Sequence, residues 1–167
     1  MTVSLVALDE SFLDPYFDYL CEPEGKRLTG THATFTRERA REWLASRPSA
    51  TGRHDWAIVE DGQFLGEIVL NEIDLDNRSA GLRIGLRGPD VYGRGYGTAA
   101  IRLVLEQAFG ALGLHRVELE VYAFNPRAQR AYEKCGFVVE GRRRDALLWD
   151  GAWVDAITMS VLEGEQR

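Results

Sequence analysis

The sequence has little cysteine, no long apolar run and no excess of basic residues. Its two cysteines, Cys21 and Cys135, form no metal-binding or redox spacing. No apolar run approaches membrane-spanning length, and no signal peptide is recognisable at the amino terminus. These absences argue against a membrane protein and predict a reduced, cytoplasmic setting.

The charge balance is acidic. The formal net charge is −6 at a pI near 5.1, which argues against a general nucleic-acid binder because such a surface is basic. An acidic chain suits a cationic substrate such as an amine, although mild acidity for solubility alone is the commoner explanation. A chain of 167 residues with 45% hydrophobic content predicts one domain over residues 1–167. The three histidines show no metal spacing, so no metal site is expected.

The most informative segment is a glycine-rich loop, Tyr92-Gly93-Arg94-Gly95-Tyr96-Gly97-Thr98. It lies between an extended apolar segment, residues 82–86, and a helix-patterned one, residues 99–112. Glycine at alternate positions lets a ligand touch the backbone, and a helix amino terminus favours negative charge. The loop therefore predicts a phosphate or pyrophosphate site. No Lys-Ser or Lys-Thr pair follows, and the spacing is not Gly-x-Gly-x-x-Gly, so neither a P-loop nor a dinucleotide fold is indicated.

A second motif follows one helix and one strand later, from Asn125-Pro126 through Tyr132 to Gly136-Phe137. Together with the loop, it resembles the GNAT superfamily of acetyl-CoA-dependent N-acetyltransferases. The tail carries Glu140-Gly141-Arg142-Arg143-Arg144-Asp145 and Asp150-Gly151-Ala152-Trp153-Val154-Asp155. It resembles the branch that holds ribosomal-protein N-terminal acetyltransferases and spermidine acetyltransferases.

The resemblance implies acetyl-CoA as co-substrate and a set of residues that hold it. The pantetheine arm would pair with the strand backbone at Ile84 and Leu86. The pyrophosphate would lie on the loop amides of Arg94, Gly95, Tyr96, Gly97 and Thr98. Asn125 is an N-cap before Pro126, which leaves its amide nitrogen free for the pantetheine arm or a water. The Tyr132 hydroxyl would protonate the leaving thiolate, with core packing as its alternative role.

The general base is the weak point of the prediction. Many relatives carry Glu in the strand that enters the loop, whereas Gly81 stands there in this chain. We rank Glu72 and Glu120 equally as replacements, since Glu72 ends the preceding strand and Glu120 lies on a strand beside the expected gap. Each is also a candidate for a plain solvated or ion-paired carboxylate.

The element order predicts an α/β fold of mixed α+β order. A strand over residues 2–8 and a short helix candidate over residues 12–20 open the chain. Strands around the turn Asp61-Gly62 come later, followed by strand–helix–strand, a helix over residues 126–135 and two final strands. Residues 22–34 read as a loop, and Thr36 as the N-cap of a helix. The resemblance adds the GNAT geometry, in which a central mixed, mostly antiparallel sheet has splayed parallel central strands and helices on both faces.

The predicted function is transfer of acetyl from acetyl-CoA to a primary amine by direct attack in a ternary complex. The acceptor remains open among a protein N-terminus, a polyamine and a small amine, and a homodimer is also left open. The alternative, motivated by Gly81, is a CoA-binding or acyl-CoA-binding module without turnover. A nucleotide-phosphate site is a third reading of the loop.

Overall fold

One seven-stranded sheet runs through the protein, and its strands lie side by side in chain order except that the seventh lies between the fifth and the sixth. The computed structural model describes residues 1–167. The strands are β1 Ser4–Ala7, β2 His54–Glu60, β3 Gln63–Asp74, β4 Ser79–Leu86, β5 Arg116–Tyr122, β6 Val138–Trp149 and β7 Ala152–Leu162. Every neighbouring pair is antiparallel except β4 and β5, which are parallel. The predicted mixed, mostly antiparallel sheet is confirmed.

Five helices cover both faces of the sheet. They are α1 Leu13–Cys21, α2 Pro23–Thr29, α3 Arg37–Ser46, α4 Tyr96–Phe109 and α5 Pro126–Lys134. Side chains alternate across β2, so Ile58 packs into one core with α4 and α5, whereas Ala57 and Val59 pack into a second core with α1 and α3. The two cores lie on opposite faces, which confirms the predicted layering.

The parallel strands β4 and β5 separate soon after they meet. They pair at three positions only, with Ser79, Ala80 and Gly81 opposite residues 116–118. From Leu82 to Leu86, β4 remains paired to β3 but no longer to β5. The β5-facing backbone edge of residues 82–86 is therefore free to bond a ligand, as the predicted splay requires.

The prediction of a loop over residues 22–34 is wrong for its first part. Residues 23–29 form α2, which the Glu22 side chain caps by accepting from the amides of Glu24 and Gly25. Pro23 is the first helical residue, and Gly30 ends the helix with φ 64°. The start and stop signals are present in the sequence, but the helix is only seven residues long and lacks a clear apolar period.

Helix α4 also differs from its predicted limits. It begins at Tyr96 rather than at residue 99 and ends at Phe109, so Leu112 lies outside it. The glycine-rich loop therefore supplies the first turn of the helix. The strands at the Asp61-Gly62 turn and the Thr36 cap are as predicted, with the Thr36 hydroxyl accepting from the Arg39 amide.

Candidate active site

The glycine-rich loop places free backbone amides at the start of α4. Gly93 and Gly95 have φ values of 70° and 86°, which side-chain-bearing residues rarely adopt. The Ala99 amide bonds the Gly95 carbonyl at 3.0 Å and begins the helical ladder. The amides of Tyr96, Gly97 and Thr98 therefore lack intrahelical partners and form an anion-binding terminus.

Gly97 differs from the other two glycines of the loop. Its φ is helical, and a Cβ added there would meet only Ile84 Cδ1, at 3.9 Å. The fold itself therefore has room for a side chain at this position. Gly97 lines the cavity that opens beside the loop, so a larger side chain there would occupy space in that cavity.

The larger side chains of the loop are held by the protein rather than directed at a ligand. The Tyr96 hydroxyl donates to Glu60 at 2.7 Å, and the Arg94 guanidinium lies 5.2 Å from the centre of the Tyr96 ring. The Arg127 guanidinium lies 4.1 Å from the centre of the Tyr92 ring. Burial is the main cause that raises the Tyr92 pKa to about 12, so this phenol stays protonated.

A cavity of about 440 Å³ opens between this loop, the free edge of β4 and helix α5. We call it the loop cavity. Arg127, Arg130 and Lys134 line it, and no carboxylate does. Its positive charge, free amides and unpaired strand edge fit the phosphates and the amide-bearing arm of a CoA molecule.

Asn125 and Tyr132 stand on the β5 side of the gap. Asn125 caps α5, with its side-chain oxygen accepting from the Ala128 amide at 3.3 Å. Tyr132 is 8% exposed, and no protein group hydrogen-bonds to its hydroxyl. Burial, with the neighbouring Cys135 as a smaller cause, raises the Tyr132 pKa to about 12, so the hydroxyl is protonated at neutral pH.

Cys135 is a buried packing residue. Its Sγ lies 3.7 Å from the Thr98 carbonyl and joins α5 to α4, and burial raises the pKa of the thiol. A raised pKa keeps the thiol protonated, which is the opposite of what a nucleophilic cysteine needs.

A second cavity of about 740 Å³ lies on the face of the sheet that α1, α2 and α3 cover. We call it the acceptor cavity. The two cavities meet at the gap between β4 and β5, where they share Tyr19, Gly25, Leu28, Thr29, Ile84, Gly85, Asn125 and Tyr132. A group bound on one face can therefore reach a group bound on the other.

Glu67 is the functional candidate that sequence reasoning missed. It lies on β3 directly opposite Gly85 and lines the acceptor cavity. The residue is 8% exposed, and its two carboxyl oxygens accept from the hydroxyls of Tyr16 and Tyr19, each at 3.2 Å. Desolvation by burial raises its pKa, against the opposing effect of Arg83. The available signal was a lone acid inside the apolar run Phe64–Leu70.

Tyr19 links Glu67 to the gap. Its hydroxyl packs over Gly85, in the space that a Cβ at that position would take. Tyr16 lines the acceptor cavity only, whereas Tyr19 lines both cavities. The Tyr19 hydroxyl therefore connects the meeting point of the two cavities to the Glu67 carboxyl through one hydrogen bond.

Neither of the two carboxylates predicted as bases shares the buried, tyrosine-bonded position of Glu67. Glu72 is exposed, two residues beyond Leu70 at the end of β3 remote from the loop, and it lines neither cavity. The expectation that it reaches the cleft is therefore wrong, because β3 is antiparallel to β4 and carries it away. Glu120 does line the acceptor cavity but forms an ion pair with Arg143.

The glycine at position 81 is explained by the Asn71 side chain on the adjacent strand. A Cβ there would collide with the side-chain oxygen of Asn71 on β3. The space that a strand glutamate would enter at this position is already filled. The carboxyl of this face is supplied instead by Glu67, on the adjacent strand and nearer the gap.

The fold and the arrangement of the two cavities agree with the resemblance inferred from the sequence, and comparison with known proteins tests it. The family model described as an acetyltransferase (GNAT) domain matches residues 3–138. The chain therefore belongs to the GNAT acetyltransferase family, and the resemblance inferred from the sequence is confirmed.

Several relatives carry names of the predicted branch. The spermidine N(1)-acetyltransferase of Vibrio cholerae is 34% identical over 110 residues, which cover 65% of this chain and 63% of that enzyme. The Bacillus subtilis protein YdaF, provisionally named a ribosomal N-acetyltransferase, is 28% identical, and the match covers 87% of this chain and 90% of YdaF. The crystal structure of the Vibrio cholerae spermidine N-acetyltransferase with CoA and spermine shares the fold at a TM-score of 0.90 and 24% identity, covering 98% of this chain and 96% of that one.

The structure has neither a cluster of metal ligands nor a membrane-spanning helix. No group of three or more His, Cys, Asp or Glu side chains is arranged to hold a metal ion. None of the helices combines the length and apolarity needed to cross a membrane.

Proposed function

We propose that this protein transfers the acetyl group of acetyl-CoA to a primary amine by direct attack in a ternary complex. The observation that carries the proposal is the meeting of two cavities at the gap between β4 and β5. One cavity has the charge and backbone donors for CoA, and the other holds a buried carboxyl. Family membership supports the enzyme over a CoA-binding module without turnover.

In this proposal CoA occupies the loop cavity. Its pyrophosphate lies on the amides of Arg94, Gly95, Tyr96, Gly97 and Thr98, and Arg127, Arg130 and Lys134 neutralise further phosphate charge. The pantetheine arm pairs with the free backbone at Ile84 and Leu86, facing the Asn125 amide. The thioester then supplies an activated acetyl group at the gap, beside Tyr132.

The residues at the gap handle the two protons of the reaction. The amine must lose a proton as its nitrogen bonds to the acetyl carbon, and Tyr19 passes that proton to Glu67. A backbone N–H near Ile84 or Leu86 stabilises the negative charge on the acetyl oxygen. As the carbon–sulfur bond breaks, the Tyr132 hydroxyl protonates the thiolate, whose parent thiol has a pKa of about 8.5.

Replacing Tyr132 with phenylalanine should slow transfer and leave CoA affinity unchanged. The hydroxyl has no hydrogen bond to lose in the folded protein and is needed only as sulfur gains charge. We expect kcat to fall about tenfold, which corresponds to roughly 1.4 kcal/mol of transition-state stabilisation. The measurement is kcat at saturating substrates beside a CoA titration, and an unchanged kcat would leave Tyr132 as a packing residue.

The acceptor class and the biological setting are part of the same proposal. A protein N-terminus, a polyamine and a small amine all present the required nitrogen, and the names of the relatives support the first two.

A single domain over residues 1–167 is supported by one sheet with strands from Ser4 to Leu162. A cytoplasmic location is consistent with two free cysteines, and a homodimer remains a prediction without structural support.

The test of the proposed function is thiol release. The protein is mixed with acetyl-CoA and a broad panel of primary amines, and the free thiol is followed with time. Release that depends on the amine supports the enzyme, whereas CoA binding without release supports the binding module.

A further inference from the structure

The acceptor cavity carries more positive than negative side chains. Four cations line it, contributed by α2, α3, the start of β2 and β4: Lys26, Arg39, Arg53 and Arg83. Two acids line it, Glu67 and Glu120. The chain as a whole has a net charge of −6, so a cationic cavity does not follow from composition.

Pairing within the protein makes the imbalance larger. Arg53 is paired with Asp55, which accepts from its guanidinium at 2.7 and 2.9 Å and also from Arg47 at 3.4 Å. Glu120 is neutralised by Arg143. Lys26, Arg39 and Arg83 form no ion pair, which leaves three free cations against the single carboxyl of Glu67, even when that carboxyl is ionised.

We propose, resting on the transferase function above, that the acceptor is an amine with a carboxylate near its nitrogen. The amine nitrogen reaches the gap beside Tyr19, and the carboxylate is held by Lys26, Arg39 and Arg83. Three cations from α2, α3 and β4 line one cavity, with Arg39 and Arg83 exposed, and their summed charge favours a bound anion over a cation. The chemistry is that of a free amino dicarboxylate or of the N-terminus of an acidic peptide.

A polyamine suits this cavity poorly. Each of its nitrogens carries positive charge, and the amines remote from the reacting one need carboxylates as partners. Glu120 is already paired, and Glu67 is engaged by two tyrosines at the reacting end. Like-charge contact with the three free cations then opposes binding of a polyamine.

A matched panel of acceptors tests the proposal. It contains three C-terminally amidated tripeptides, Ser-Glu-Glu, Ser-Ala-Ala and Ser-Lys-Lys, together with free glutamate and spermidine. We expect kcat/KM for the acidic tripeptide to exceed that for the neutral one by about tenfold, and the basic tripeptide and spermidine to be slower still. Free glutamate and the acidic tripeptide distinguish a small-molecule acceptor from a peptide.

Charge-removing variants locate the effect. Lys26→Gln and Arg39→Gln should each lower kcat/KM for the acidic tripeptide about tenfold, a larger factor than for the neutral tripeptide. Arg144→Gln is the control, because Arg144 is exposed, unpaired and outside the cavity. For Arg83→Gln, kcat/KM with the neutral tripeptide is measured as well. Arg83 also lowers the pKa of Glu67, and this effect acts on both tripeptides.

Binding is measured independently of turnover. Calorimetric titration of acetylated Ser-Glu-Glu, the product class, into the protein with CoA should show binding that Lys26→Gln weakens and Arg144→Gln does not. A preference for spermidine or the basic tripeptide, or equal binding by both variants, would overturn the anionic acceptor. Product binding without any thiol release would instead contradict the transferase function and leave the anion site standing.

Discussion

Replacing Glu67 with glutamine should lower kcat by about 100-fold while CoA affinity stays unchanged. A general base contributes roughly 10²–10⁴-fold to a rate, and glutamine cannot accept the proton of the amine. The side chain lines the acceptor cavity and not the loop cavity, so the CoA site is left intact. The measurements are kcat with an acceptor identified from the panel and a CoA titration of the same preparation.

The same substitution should stabilise the fold at alkaline pH. Burial raises the pKa of Glu67, so its contribution to stability is fully present below the unfolded value of about 4.3 and is lost as pH rises through the folded value. Glutamine has nothing to ionise and can still bond both tyrosines. We expect Glu67→Gln to melt above the wild type at pH 8, with the difference shrinking towards pH 5.

Tyr19 and Tyr16 provide a matched pair of variants. Each donates to one oxygen of Glu67 at 3.2 Å, but only Tyr19 also lines the loop cavity. Tyr19→Phe should therefore slow turnover more than Tyr16→Phe. Full activity of a folded Glu67→Gln variant across the pH range, or equal losses in the two tyrosine variants, would remove Glu67 and its relay from the mechanism.

Replacing Gly97 with valine should weaken CoA binding about 100-fold without harming the fold. The side chain would push the pyrophosphate away from the helix amides, and hydrogen bonds to charged groups contribute about 1.5–3 kcal/mol each. A Cβ at Gly97 would meet only Ile84 Cδ1, at 3.9 Å, so we expect the fold to accept the change. The measurement is CoA affinity by calorimetry.

The stability of the Gly97 variants separates ligand space from folding. Glycine in a helix is roughly 0.5–1 kcal/mol less favourable than alanine, so Gly97→Ala should melt higher than the wild type while binding CoA less tightly. Gly95→Ala is the contrast, since φ 86° at that position strains any side chain and should lower the melting temperature. Undiminished CoA affinity in Gly97→Val would place the pyrophosphate elsewhere.

Local signals in the sequence are enough for most of the architecture. The alternation Val117, Leu119, Val121 predicts β5, and all three are buried as expected. Asn125-Pro126 predicts the start of α5 because an N-cap and a proline act within one turn of the chain. Helix α2 was missed, since a seven-residue helix depends on packing over the gap more than on its own pattern.

Some residues of the candidate site are also recognisable from local sequence, whereas others depend on distant contacts. The loop and Tyr132 are encoded in contiguous motifs, so spacing and resemblance indicate them. Glu67 depends on a contact between β3 and α1, 51 residues away from Tyr16 and 48 from Tyr19. Contacts between residues so far apart in sequence produce no local motif, and the only local signal is a single acid within an apolar run. Glu72 looked equally suitable because sequence alone does not show which end of β3 faces the loop.

Thiol release from acetyl-CoA in the presence of the amine panel decides between a transferase and a CoA-binding module. We expect amine-dependent release, formation of the N-acetylated product by mass spectrometry, and a rate that falls about 100-fold in Glu67→Gln. Tight CoA binding with no product from any amine, by wild type and variant alike, would contradict it and leave a cofactor-binding module.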